Sequence, residues 1–97
     1  MNAFNELSVE KLCEVIHKLE TKEDVKSFFM DLCTVYEIMD MAKRFEAAIL
    51  LDKKTSYNDI MEKIDISTAT LSRVSKSLNF GTGGYKKAVD IITNKKK

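Results

Sequence analysis

The sequence predicts an all-α fold of about six helices in a single domain, and three observations carry that prediction. The 97 residues contain no Pro and only three Gly, so little in the chain breaks a helix. No stretch alternates β-branched and polar residues in the manner of a half-buried strand. Apolar residues recur instead at spacings of three and four, and Ser or Thr precedes most of these runs, as helix caps do. So short a chain buries a limited core, which makes association with a second copy a natural source of further stability.

Ser8 is read as the cap of a first helix that carries Val9, Leu12, Cys13, Ile16 and Leu19 on one face. Thr21, with Asp24 three residues on, restarts the chain as a second helix whose core positions are Val25, Phe28, Phe29, Leu32 and Cys33. The Phe pair continues that face and reads as core. Thr34 and Glu37 form a capping box that opens a long helix running to Lys53 or Lys54. At ~1.5 Å per residue it is about 28 Å long, enough to cross a small domain. Its apolar residues, from Val35 through Ile38, Met39, Met41, Ala42 and Phe45 to the run Ala47 to Leu51, do not fit one stripe. A helix apolar on several sides must be covered on several sides. The cover is either a second subunit or the other helices of the same chain.

The stretch Ser56 to Phe80 is the most informative. Ser56, with Asp59 three residues later, caps a short helix carrying Ile60 and Ile64 and ending near Asp65. Ser67 caps a second helix with Leu71, Val74 and Leu78 on one face. Two short helices with so little between them cross rather than run antiparallel, and Ile60, Ile64, Ile66, Leu71 and Val74 fill the crossing. This is the apolar spacing of a helix-turn-helix, although an ordinary helical pair fits it as well. Met61 stands where a small residue usually lets the helices approach. Asp65 holds the turn position where Gly is commonest, and Asp tolerates a left-handed backbone better than most residues.

Away from the apolar ridge the second helix presents Ser67, Thr68, Ala69, Ser72, Arg73 and Lys76, and no acidic residue occurs between Ile66 and Asn79. Small and hydroxyl side chains at the N-terminal end permit close approach to a major groove, and cations further along meet base edges or phosphates. Asn58 and Thr70 complete the candidate DNA-binding set. Whether Arg73 meets a base or a phosphate, the sequence does not choose. Beyond it, Asn79 to Gly84 is the flexible-looking stretch, with Gly81 placed to end the helix in a left-handed cap. A final helix from Tyr85 to about Thr93 presents Tyr85, Ala88, Val89 and Ile92, and Lys95 to Lys97 read as a frayed tail. The single domain, 1–97, thus divides into a helical dimerisation core (8–54), a helix-turn-helix (56–80) and a C-terminal helix (85–93).

The net charge of +1 hides an asymmetry. Residues 1–40 hold four Lys against nine acidic residues, a balance of −5, and residues 41–97 hold twelve Lys or Arg against six, a balance of +6. The positive half carries the helix-turn-helix, as phosphate binding requires, and an acidic half turned from the duplex orients the approach. Enzymatic chemistry has little to stand on: there is no Gly-rich phosphate loop, no His–carboxylate cluster and no nucleophile beside a base. Cys13, His17 and Cys33 could share a metal by spacing, but a fourth ligand is not evident, and both thiols read as small hydrophobes on helix faces. No cofactor, disulfide framework or metal is expected. The N-terminus lacks the apolar core of a signal peptide, and the longest apolar run, Ala47 to Leu51, is far too short to span a bilayer. A cytoplasmic protein is expected.

The run STATLSRVSKSL, with the preceding SYNDIMEKI, is similar to the helix-turn-helix of the tryptophan repressor family, in particular its YerC/YecD-type branch. The strongest matches are Ala69-Thr70, Arg73, Ser75 and Ser77-Leu78, and similarity extends back through MAKRFEAAILLDKKTS and more weakly to the N-terminus. The resemblance implies an intertwined all-helical homodimer that regulates transcription by binding a pseudo-palindromic operator in double-stranded DNA. In that family an indole lies between the long central helix and the recognition helix, against an arginine of each, and a glycine leaves room for the ring. By resemblance the second arginine is Arg73, the serine that meets the ligand's amino group is Ser77, the first arginine is matched by Lys43 and the glycine by Val74. A branched Val74 fills the space of the ring, and Lys43 offers a point charge where a planar fork is needed. The expectation is therefore a sequence-specific repressor that L-tryptophan does not gate. The alternatives are a regulator gated by another small ligand, and a helical protein-interaction module without specific DNA binding. The module would explain the long apolar helix but not the acid-free face.

Overall fold

A computed structural model describes residues 5–94 as six α-helices, α1 (Glu6–Lys18), α2 (Lys22–Leu32), α3 (Val35–Asp52), α4 (Tyr57–Lys63), α5 (Thr68–Phe80) and α6 (Gly84–Ile92), with no strand among them. The tail Lys95 to Lys97 lies outside the described residues. The chain divides into two compact units, one ending at Ile38 and the other beginning at Met39, so the boundary falls inside α3.

In the first unit the caps decide where helices begin. Asn5, not Ser8, caps α1: its Oδ1 accepts from the Ser8 backbone N–H at 3.2 Å, which places Ser8 inside the first turn. Asn caps as well as Ser does, so the earlier capping residue takes the end. Thr21 caps α2, with its Oγ1 accepting from Asp24 N–H at 3.0 Å. Thr34 and Glu37 close the capping box reciprocally, at 2.8 Å for Thr34 N–H to Glu37 Oε1 and 3.1 Å for Glu37 N–H to Thr34 Oγ1. Caps of this kind are worth about 1 kcal/mol each. Packing in this unit is thin. Val25, Phe28, Phe29 and Cys33 are half-buried, Leu12, Cys13, Val15 and Leu32 are exposed, and no described residue up to Ile38 is fully buried.

The core lies in the second unit. Ala47 and Ala48 of α3, Ile60 of α4, Leu71 and Val74 of α5 and Val89 of α6 are buried together, and Phe45, Ile49, Leu50, Leu51, Met61, Ile64, Ile66 and Tyr85 pack around them. The two alanines have no exposed area and form the contribution of α3 to this cluster. Toward its N-terminus α3 stays open, with Val35 at 58% and Met39 at 49% exposure. Its C-terminus is closed by Lys54 in the left-handed region (φ 69°), with Thr55 N–H donating to the Leu50 carbonyl and Lys54 N–H to that of Leu51. This is a Schellman closure with Lys where Gly is usual.

Helices α4 and α5 cross as a helix-turn-helix, and the residues expected in the crossing fill it. Ile60, Leu71 and Val74 are buried, Ile64 and Ile66 half-buried. The turn needs no left-handed residue: Ile64 is extended (φ −129°), as is Ser67 (φ −77°), and Lys54 and Asn94 are the non-Gly residues of positive φ among those described. Asp65 is thus free of the strain that would favour Gly there. Met61 is accommodated sideways, its thioether accepting a hydrogen bond from Thr68 Oγ1 at 3.4 Å.

The expected left-handed cap at Gly81 is not formed. Gly81 is extended (φ −84°, ψ −154°) and donates its N–H to the Ser77 carbonyl. A Cβ at this position would collide with that same carbonyl, so Gly is required by close approach rather than by handedness. The left-handed residue is Gly83 (φ 98°), which leads into α6. Leu71 has no exposed area and sits where α5 meets the core, so Leu71→Ala is expected to lower the unfolding free energy by about 2–5 kcal/mol. Urea denaturation with an unchanged m-value measures it.

Candidate nucleic-acid interface

The N-terminal end of α5 is built by its own hydroxyls. Ser67 Oγ accepts from the Thr70 backbone N–H at 3.1 Å and donates to Thr70 Oγ1 at 3.0 Å. Thr68 spends its hydroxyl hydrogen on Met61. From that fixed end, Ala69, Ser72, Arg73 and Lys76 follow at spacings of three and four, all exposed and on one side of the helix. Asn58, in the first turn of α4, is exposed as well.

Of the eight residues proposed from sequence, Asn58, Ser67, Thr68, Ala69, Ser72, Arg73 and Lys76 are exposed. Thr70 is half-buried and turned to the flank, where it lines a cleft of about 220 Å³ with Asp40, Lys43, Arg44, Asp65, Ile66 and Ser67. Across that cleft Lys43 Nζ stands 3.8 Å from Asp65 Oδ2.

Behind α5 lies a second cavity, of about 160 Å³, lined by Arg44, Arg73, Val74, Ser77 and Tyr85. It brings together three of the four residues that resemblance assigned to a ligand site. The fourth, Lys43, lies in the neighbouring cleft, and Arg44 takes its place beside Arg73. Adjacent helical residues point about 100° apart, so a one-residue choice between two cations settles which of them faces the cavity. Sequence reasoning missed Arg44 for that reason: Lys43-Arg44 is a visible cationic pair, but only the packed helix shows its orientation. Val74 is 2% exposed, so its side chain is committed to the core at the cavity wall.

Among the described residues no three or more His, Cys, Asp or Glu side chains are grouped to hold a metal ion, and no helix is long and apolar enough to cross a membrane. The fold and this surface define an all-α helix-turn-helix protein. The sequence matches the family model described as Trp repressor protein over residues 7–92. It is 39% identical over 84 residues to an uncharacterized protein, YerC, of Bacillus subtilis, which covers 87% of this chain and 81% of that one. A TrpR-like protein from Eubacterium eligens superposes with a TM-score of 0.85 at 40% identity, covering 94% of each chain. A crystal structure described as a candidate Trp repressor from Staphylococcus aureus gives a TM-score of 0.84 at 33% identity, over 94% of this chain and 91% of its own. The chain belongs to the Trp repressor family, a family of DNA-binding regulators.

Proposed function

We propose that this protein is a sequence-specific transcriptional repressor that acts in the cytoplasm as a homodimer on a pseudo-palindromic operator, without tryptophan as co-effector. The observation that carries the reading is the acid-free, exposed side of α5, which projects from a helix-turn-helix whose crossing is closed. A duplex meets small and hydroxyl groups first, at the end of the helix that enters the groove, and the cations Arg73 and Lys76 behind them. The homodimer is supported by the open first unit and the exposed N-terminal part of α3, apolar surfaces that one chain leaves in water. Two copies place two reading helices about one turn of DNA apart.

Tryptophan is disfavoured by the cavity behind α5. Val74, buried at its wall, stands where the resemblance places the glycine that leaves room for the ring. The two guanidinium groups that line it favour a second reading, in which an anion smaller than tryptophan gates the protein.

Three measurements test these readings. Arg73→Ala and Lys76→Ala are each expected to weaken DNA binding. A loss of about 1–3 kcal/mol confined to one base pair marks base readout, and uniform weakening with a shallower salt slope marks a phosphate contact. Unchanged binding in both variants would remove α5 as the reading head. Sedimentation at micromolar concentration should give a dimer, and a stable monomer would exclude the paired arrangement. Calorimetry with L-tryptophan should give no saturable heat, whereas a tenfold gain in operator affinity, or about 1.4 kcal/mol, would restore it as co-effector.

A further inference from the structure

Asp65 is a feature of the reading end that does not suit a polyanion. It stands two residues before the Ser67 cap, is fully exposed, and holds its carboxylate at the mouth of the cleft beside the N-terminus of α5. That end of the helix is the one a duplex approaches. A carboxylate there repels phosphates, and the backbone does not require it: the turn is made in extended conformations that any residue adopts. The Asp65 side chain accepts none of the hydrogen bonds that cap α5, which Ser67 provides. Its partner is Lys43 on α3, at 3.8 Å, with a side chain 32% exposed. Asp40 and Arg44 line the same cleft.

Resting on the reading of this protein as a DNA-binding regulator, we propose that Asp65 determines specificity by holding Lys43 away from DNA phosphates until α5 is seated in its groove. An ion pair so exposed is weak and readily exchanged. On a loosely held, non-cognate duplex the phosphates stay at the cleft mouth, Asp65 repels them and keeps Lys43. On a cognate duplex the recognition helix enters fully, a phosphate is brought to Lys43 and takes it over from Asp65. Non-specific affinity is almost wholly phosphate neutralisation, so withholding one cation lowers it most where base contacts are absent. The acid raises the ratio of specific to non-specific binding and leaves the reading residues untouched.

The test compares two duplexes, one selected from a random pool by the wild-type protein and one of the same composition with scrambled order, each titrated at several salt concentrations. For Asp65→Asn, affinity for the scrambled duplex is expected to rise about three- to tenfold, with a salt slope steeper by about 0.9, the signature of one more neutralised phosphate. Affinity for the selected duplex should rise less than about twofold, and the scrambled-duplex gain should vanish when Lys43→Gln is added. Asp65→Ser serves as a second neutral variant, and circular dichroism confirms that each is folded. Equal gains on both duplexes, no gain on either, or a gain that survives Lys43→Gln would overturn the proposal while leaving DNA binding intact. A loss at one base pair of the selected duplex would overturn it too, making Asp65 an acceptor for a cytosine amine. Wild-type protein that retains neither duplex at low salt would bring down the DNA-binding reading, and this inference with it.

Discussion

Everything in the second unit depends on one crossing. Ile60 from α4 and Leu71 and Val74 from α5 meet over the paired alanines of α3, and Val89 closes the cluster from α6. These six residues are the fully buried ones among those described, so few side chains hold four helices. With a core that small, each member contributes a large share of the stability, and the orientation of α5 is set by the same contacts that keep the unit folded. A reading helix needs that coupling: its exposed side chains are aimed only as well as its buried ones are fixed.

The first unit shows the opposite condition. Its helices are well capped and their faces are apolar at helical spacing, yet none of its described residues is fully buried. Local propensity and capping thus produce helices there without a finished core. In water most helical stability comes from packing an amphipathic face rather than from propensity, and in this unit the amphipathic faces are at most half-buried. The acidic balance of the same segment suits a position away from phosphates.

Much of this was legible in the sequence because the decisive signals are local. Capping pairs such as Thr34–Glu37 and Ser56–Asp59 involve residues three apart, and the 3.6-residue period identified Ile60, Leu71 and Val74 as core before any packing was seen. The misreadings arose where two residues of similar chemistry compete for one role. Asn5 preceded Ser8 at the start of α1, and Gly83 rather than Gly81 took the left-handed backbone. Which of the adjacent cations Lys43 and Arg44 lines the cavity behind α5 is likewise a matter of orientation, and Arg44 does. Composition does not separate such neighbours; the path of the backbone does. The exposed pair of Lys43 and Asp65 was illegible for a further reason, since its partners are 22 positions apart with the whole of α4 between them.

Val74 carries a consequence for how such a protein is controlled. A valine built into the wall of the cavity is present in every copy at all times, unlike a metabolite whose level rises and falls. Under the function proposed here, the fraction of operators occupied then follows the number of dimers in the cell, by simple mass action. Synthesis and degradation of the protein become the signal, and its lifetime sets how quickly a promoter can change state.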